Sequence, residues 1–161
     1  SGFPNKDGKF RLSPDWSSRG PDHKDLPPLP DHVDLIEKTD SVHPFRLVTA
    51  PAHNYLNTSF TETDTSVKKE ARPTVKLSGS DVAALGIKEG AKVKVGNGRG
   101  EILVYVEIGT NQQNGVAIIE GIWPNSAFDN GVGVNALIGA DAGPPNGGGV
   151  FHDAAVWIEG S

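Results

Sequence analysis

The chain has no cysteine and no methionine among its 161 residues. Without cysteine it forms no disulfide, offers no thiolate to a metal and has no cysteine nucleophile, so three chemistries drop out together. Without methionine it shows no initiator, and a start at Ser1-Gly2-Phe3 reads as a cut from a longer polypeptide or a processed product. Basic charge is also scarce: 15 Lys and Arg stand against 20 Asp and Glu, a formal net charge of −5. A nucleic-acid backbone needs a basic face, so that partner is not expected. No apolar run approaches the roughly eighteen residues of a membrane span, and no basic start leads into an apolar stretch as in a signal peptide. No membrane partner is expected, and the cytoplasm is the expected compartment, with the periplasm left open.

What is present suits one domain with a tail, long enough to bury one core. Residues 1 to 44 carry seven of the twelve prolines, including "DLPPLPDH", and show no sustained period. They read as an extended lead-in, either a solvated linker of polyproline character or a strap across a neighbouring domain, with residues 13 to 40 expected to be mobile. Residues 45 to 161 form the domain. "HPFRLVT" opens it with a strand at Phe45 to Thr49. In "GSDVAALGIKEG" Ser80 is the expected helix cap, Asp81 favours the first turn, and Val82 to Leu85 carry the turns. Gly86 then ends the helix in the left-handed conformation and Ile87 folds back as the apolar contact of a Schellman motif. "AKVKV" and "EILVYVE", joined by the turn "GNGRG", form a hairpin, and "GVAIIEGIW" and "AAVWIE" supply two more strands. Short strands with few charged edges point to a mainly β domain closed into a barrel.

Candidate chemistry is sparse. The five histidines, at 23, 32, 43, 53 and 152, share no helix face and complete no metal site. "GNGRG" lacks the Lys-Ser or Lys-Thr and the following helix of a phosphate loop. Two stretches stand out instead. "LVTAPAHNYLNTSF", residues 47 to 60, packs hydroxyl and amide side chains behind a strand, a set suited to a phosphate or a heterocycle edge, or to a polar turn bonded to itself. In "GVNALIGADAGPPNGGGVFHD" the glycines let backbone approach a flat ligand, Asn135 can both donate and accept, and Phe151 can stack. Together they suggest one elongated ligand.

At these residues the sequence resembles the C-terminal molybdopterin-dinucleotide-binding domain of the large molybdenum and tungsten oxidoreductases, the group of formate dehydrogenases, nitrate reductases and sulfoxide reductases. Four pieces match in order: "GFPNKDGKFRL" as the segment before the domain, "LVTAPAHNYLNTSF" as first strand and cofactor loop, "VKLSGSDVAALGIKEGAKVKVGNGRGE" as middle signature, and "GVNALIGADAGPPNGGGVFHDAAVWIE" as the end. The resemblance implies a double-psi β-barrel with short helices whose loops bind molybdopterin guanine dinucleotide, the molybdenum or tungsten being carried by the parent enzyme. By position it places Thr49, His53, Leu56, Asn57, Thr58 and Ser59 in the first cofactor loop, and Asn135, Phe151 and His152 where the terminal loop meets the pterin. Many relatives carry Arg at Pro51 and Lys at His152, so those charged contacts do not transfer. It assigns this chain no catalytic residue and no metal ligand. The expected partners are the remaining domains of the parent enzyme, or other chains if this is a small separate subunit, and the isolated fragment is expected to be a monomer without turnover. The rival class is a double-psi barrel that recruits proteins, as in the N-terminal domains of certain AAA ATPases.

Overall fold

A computed structural model describes residues 2–13, 15–19, 27, 29, 31–32, 34, 36–143 and 148–161. Six strands make a closed barrel: β1 (Phe45–Ala50), β2 (Thr74–Leu77), β3 (Lys92–Asn97), β4 (Gly100–Ile108), β5 (Val116–Glu120) and β8 (Ala154–Gly160). Around the barrel they run β1-β5-β2-β4-β3-β8, and β8 pairs back with β1. Two pairs are parallel, β1 with β5 and β2 with β4. The other neighbours are antiparallel. This is the double-psi barrel architecture.

Alternation explains the strands. Val93 and Val95 on β3 and Ile102, Val104 and Val106 on β4 point inward and are buried, while Lys92, Lys94 and Tyr105 lie on the other face. Leu47, Val75, Leu77, Ile119 and Val156 complete the centre of the core. On the outside, Tyr105 has the Arg72 guanidinium 3.7 Å over its ring and donates its hydroxyl to Asp129, which also pairs with Lys92. β3 and β4 join through Gly98 and Arg99, as "GNGRG" suggested, with Asn97 opposite Gly100.

Two short helices flank the barrel: α1 (Asp64–Glu70) and α2 (Gly79–Ala84). The cap of α2 is Ser78, not Ser80: its hydroxyl accepts from Asp81 N–H at 3.0 Å, whereas Ser80 donates to Asn114 Oδ1 at 2.7 Å. The helix therefore begins two residues early, since the serine leaving β2 already holds the extended conformation a cap needs. Its end is as the sequence indicated. Gly86 has φ +65°, its N–H reaches Ala83 O, and Ile87 N–H reaches Val82 O at 3.2 Å, the two bonds of a Schellman motif. α1 has no counterpart in the sequence reading, because none of its residues is buried and its Thr63 cap makes no side-chain bond.

The chain divides into two compact units, Ser1–Leu35 with Asp141–Val150, and Ile36–Ala140 with Phe151–Ser161. In the first, Phe3 and Phe10 meet at a tilt of 57° with ring centroids 5.2 Å apart, Trp16 donates its indole N–H to Pro27 O, and β6 (Ala142–Gly143) pairs with β7 (Gly148–Gly149). Half of "DLPPLPDH" lies outside the described residues, as do "PPNG" at 144–147 and His23. The second unit is the barrel, and it includes the end of the span expected to be mobile. Ile36 N–H donates to Asp153, and the Glu37 carboxylate binds both Arg99 Nη1, at 2.6 Å, and Ala155 N–H, at 3.0 Å. Among the described residues no helix is long and apolar enough to cross a membrane.

Gly96 faces the indole of Trp157 across the β3–β8 ladder, in the space a Cβ would need. Gly96→Ala should displace that ring and destabilise the barrel by about 1–3 kcal/mol, read as a lower thermal midpoint with a shifted tryptophan emission.

Candidate functional site

A parallel strand pair delivers both of its following loops to the same end of a sheet. Here β1 and β5 end together, with Ala50 opposite Glu120, and Gly121 N–H donates to Ala50 O at 2.8 Å just beyond them. The two chains then diverge around a cleft of about 380 Å³, within the range of roughly 300–1,000 Å³ common for ligand pockets.

The floor is backbone and small side chains. Ala50, Pro51 and Ala52 come from the β1 side and Gly121 and Ile122 from the β5 side. Gly121 has φ +87°, and a Cβ there would stand 3.1 Å from both Ala52 Cβ and Trp123 Nε1. Glycine is required on both counts. Behind this floor Trp123 donates to Glu120 O at 3.0 Å and meets Tyr55 edge-on, centroids 5.0 Å apart. Tyr55 is buried, and its hydroxyl has no partner among the described residues. Burial raises its pKa and the Glu70 carboxylate raises it further. That carboxylate also anchors the loop, accepting from both Asn54 N–H at 2.6 Å and Asn54 Nδ2 at 2.7 Å. α1 thus serves the site by ending in Glu70.

The walls come from two further segments. Val134–Leu137 forms one turn of 3₁₀ helix that brings Val134 and Asn135 to the cleft, with Ile138 just beyond it. The residues preceding β8 bring Phe151 and His152. Thr49 Oγ1, at the end of β1, lies 3.2 Å from His152 Nδ1, a hydrogen bond that joins the two sequence stretches directly.

Of the nine residues singled out, Thr49, Asn57, Asn135, Phe151 and His152 converge on the cleft. His53, Leu56, Thr58 and Ser59 do not line it; they lie exposed on the same loop, where Leu56 and Ser59 bond each other's backbone across a tight turn. Asn57 sits in that turn at φ +53°, a conformation asparagine tolerates. Sequence reasoning missed Ala50, Ala52, Gly121, Ile122, Val134 and Ile138, and the Asn54–Glu70 anchor. "EGIWP" did show a glycine leaving a strand, but only the parallel pairing makes it face Ala52.

The chemistry of this lining is neutral. Among the described residues no Lys, Arg, Asp or Glu belongs to it, and His152 is its one titratable side chain. Asn135 is exposed and its side-chain amide makes no hydrogen bond among the described residues, so both donor and acceptor are available. Phe151 is 64% exposed, which leaves a ring face for stacking. Such a set fits a flat heterocycle with donors and acceptors along its edge. It offers no fixed cation to a diphosphate.

The chain resembles known proteins in sequence and in fold. The family described as "Molydopterin dinucleotide binding domain" matches residues 45–155. A "Probable oxidoreductase YoaE" of Bacillus subtilis (strain 168) is 33% identical over 134 residues, covering 83% of this chain and 19% of that protein. Among solved structures, the acetylene hydratase from Pelobacter acetylenicus superposes with a TM-score of 0.76 at 16% identity, over 99% of this chain and 24% of its own. The chain thus spans about a fifth of the curated relative and a quarter of the solved one.

Two glycines separate the site's demands from ordinary turn chemistry. Gly121→Ala should cost about 1–3 kcal/mol, from positive φ and crowding against Ala52. Gly98→Ala, with open space around it, should stay within about 0.5 kcal/mol in the same denaturant titration.

Proposed function

The chain belongs to the molybdopterin dinucleotide binding domain family, and from that premise we propose that it is the cofactor-holding C-terminal domain of a larger molybdenum or tungsten oxidoreductase whose catalytic metal site lies in its other domains. The observation that carries the reading is the neutral cleft, with an unpartnered amide and an exposed aromatic ring at the mouth of the β1–β5 pair. The cofactor in this reading is molybdopterin guanine dinucleotide, with the cleft taking a heterocyclic portion. Its charged diphosphate would find cationic partners elsewhere. Once bound, the group supplies the two-electron redox chemistry. The residues of this chain bind and orient it.

Each has a defined task. Asn135 meets the ring edge with a donor and an acceptor. Phe151 covers a face and excludes water. Thr49 fixes the His152 ring through Nδ1, leaving the other ring nitrogen for the ligand. The Ala50–Ala52 backbone and Gly121 let a flat group approach closely because no long side chain intervenes. A protein-recruiting barrel, the rival class, has no use for an unpartnered amide in such a cleft.

Asn135→Ala in the full-length enzyme should lower cofactor retention, since polar groups on the bound ring lose partners at roughly 1–3 kcal/mol. The thermal midpoint of the apo-protein should hardly move, because the Asn135 side chain makes no hydrogen bond among the described residues, and its carbonyl, which accepts from Ile138 N–H, is kept in the variant. Full metal and pterin content in the purified variant would refute the assignment. The isolated 161 residues, by contrast, should bind the dinucleotide no more tightly than micromolar by calorimetry, because much of the ligand would lie uncovered.

A further inference from the structure

The polar walls of the cleft hang on backbone that a third segment fastens. Leu137 ends the 3₁₀ turn that carries Asn135, and its carbonyl accepts three N–H groups: Arg99 Nε at 3.1 Å, Arg99 Nη2 at 2.7 Å and Asn97 Nδ2 at 2.9 Å. Arg99 uses its remaining Nη1 on Glu37 Oε1, at 2.6 Å. The second Glu37 oxygen accepts from Ala155 N–H, and the Glu37 carbonyl accepts from Arg46 Nη2 at 2.6 Å. Arg46 also pairs with Asp153, the residue after His152, and Asp153 in turn accepts from Ile36 N–H. Two consecutive residues ahead of the barrel are therefore linked through Arg99 to the turn behind Asn135, and directly to the Asp153 carboxylate and the Ala155 N–H that follow His152.

The seam of the barrel explains why these bonds are needed. The β3–β8 ladder stops at Gly96 opposite Trp157. Beyond it, Ala155 is buried and its N–H and C=O would lack partners, were it not for Glu37 and the Asn97 amide. The gap is closed by side chains, and closing it reaches through Arg99 to the cleft.

We propose that Glu37 is a positioning residue for the cofactor cleft: the Ile36–Glu37 segment latches the open end of the β3–β8 seam and, through Arg99 and Asp153, holds Asn135 and His152 where a ligand meets them. The proposal rests on the cleft being the cofactor site, yet the order of the turn can be read without cofactor. Acid releases the latch. Burial would raise the Glu37 carboxyl, but the hydrogen bonds from Arg99 and from Ala155 N–H outweigh it, so its pKa is held below the usual carboxylate value. A group with a lowered folded pKa contributes fully above its ordinary value and loses its contribution as pH falls through the lowered one. The other charged or titratable groups around it are Arg99, Arg46 and Asp153, with Lys38, Asp40 and His43 along the adjoining polar cavity.

The test is amide hydrogen exchange in the full-length apo-protein, comparing the segment 134–139 with the β4 segment 102–107. In Glu37→Gln at pH 7, exchange of 134–139 relative to intrinsic rates should rise at least tenfold with 102–107 unchanged, because the neutral amide loses the ion pair with Arg99 and has one acceptor oxygen for the two donors, Arg99 Nη1 and Ala155 N–H. The wild type should show the same acceleration only once the pH has fallen below the ordinary carboxylate range, through the lowered Glu37 pKa, while the variant shows no such pH step. Arg99→Ala should reproduce the effect, and the double variant should be no worse than either single one, as for members of one network. Unchanged exchange of 134–139 in both single variants, or fully additive losses, would overturn the latch. Accelerated exchange of 134–139 with undiminished pterin content on loading would support the latch and refute the cleft as the cofactor site.

Discussion

Two backbone hydrogen bonds just past the strand ends govern where this barrel can be used. Gly121 N–H meets Ala50 O at 2.8 Å, one step beyond the β1–β5 pair, and Gly109 N–H meets Leu77 O at 2.9 Å, one step beyond β2–β4. Each extends a parallel ladder onto a glycine, and each fixes the point where two chains part. In a ring where every strand has two neighbours, these divergences are the natural places for a crevice.

β2 runs antiparallel to β5, so the two divergences lie at opposite ends of the barrel. One of them is filled. α2 begins directly at Ser78, buries Val82, packs Ile87 against the core and receives Gly115 N–H on Asp81 Oδ2 at 2.9 Å. The other is left open, floored by alanines, Pro51 and Gly121 and walled by segments that arrive from far along the chain. Difference in loop chemistry, rather than in barrel geometry, makes one end a plug and leaves the other an open cleft.

Much of the barrel was legible because its signals are local. Val93 and Val95 between lysines, the turn at Gly98 and the Gly86–Ile87 helix end each announce themselves within a few residues. Ser80 misled because Ser78, two residues earlier, satisfies the same chemistry. α1 was invisible since it buries nothing, and hydrophobic periodicity is the signal by which helices are read. For the site, polar loops pointed to Thr49, Asn57, Asn135, Phe151 and His152, but the partners that make it a cleft are alanines, a glycine and aliphatics. Such residues carry no chemical signature until β1 and β5 are known to lie side by side and parallel. The Glu37–Arg99 link, 62 residues long in sequence (99 − 37), is likewise a product of topology alone.

A cleft without fixed charge on a chain of net charge −5 has a consequence for how a ligand arrives. In the reading proposed above, a diphosphate-bearing dinucleotide would meet a net-negative chain that repels it at long range, and would be drawn in only on contact, through ring packing and amide pairing. Dissolved salt screens the first effect and leaves the second nearly untouched, since the Debye length is about 8 Å at physiological ionic strength. In that reading, added salt would quicken capture by this domain taken by itself while leaving release unaltered, the reverse of the behaviour of a basic phosphate-binding surface.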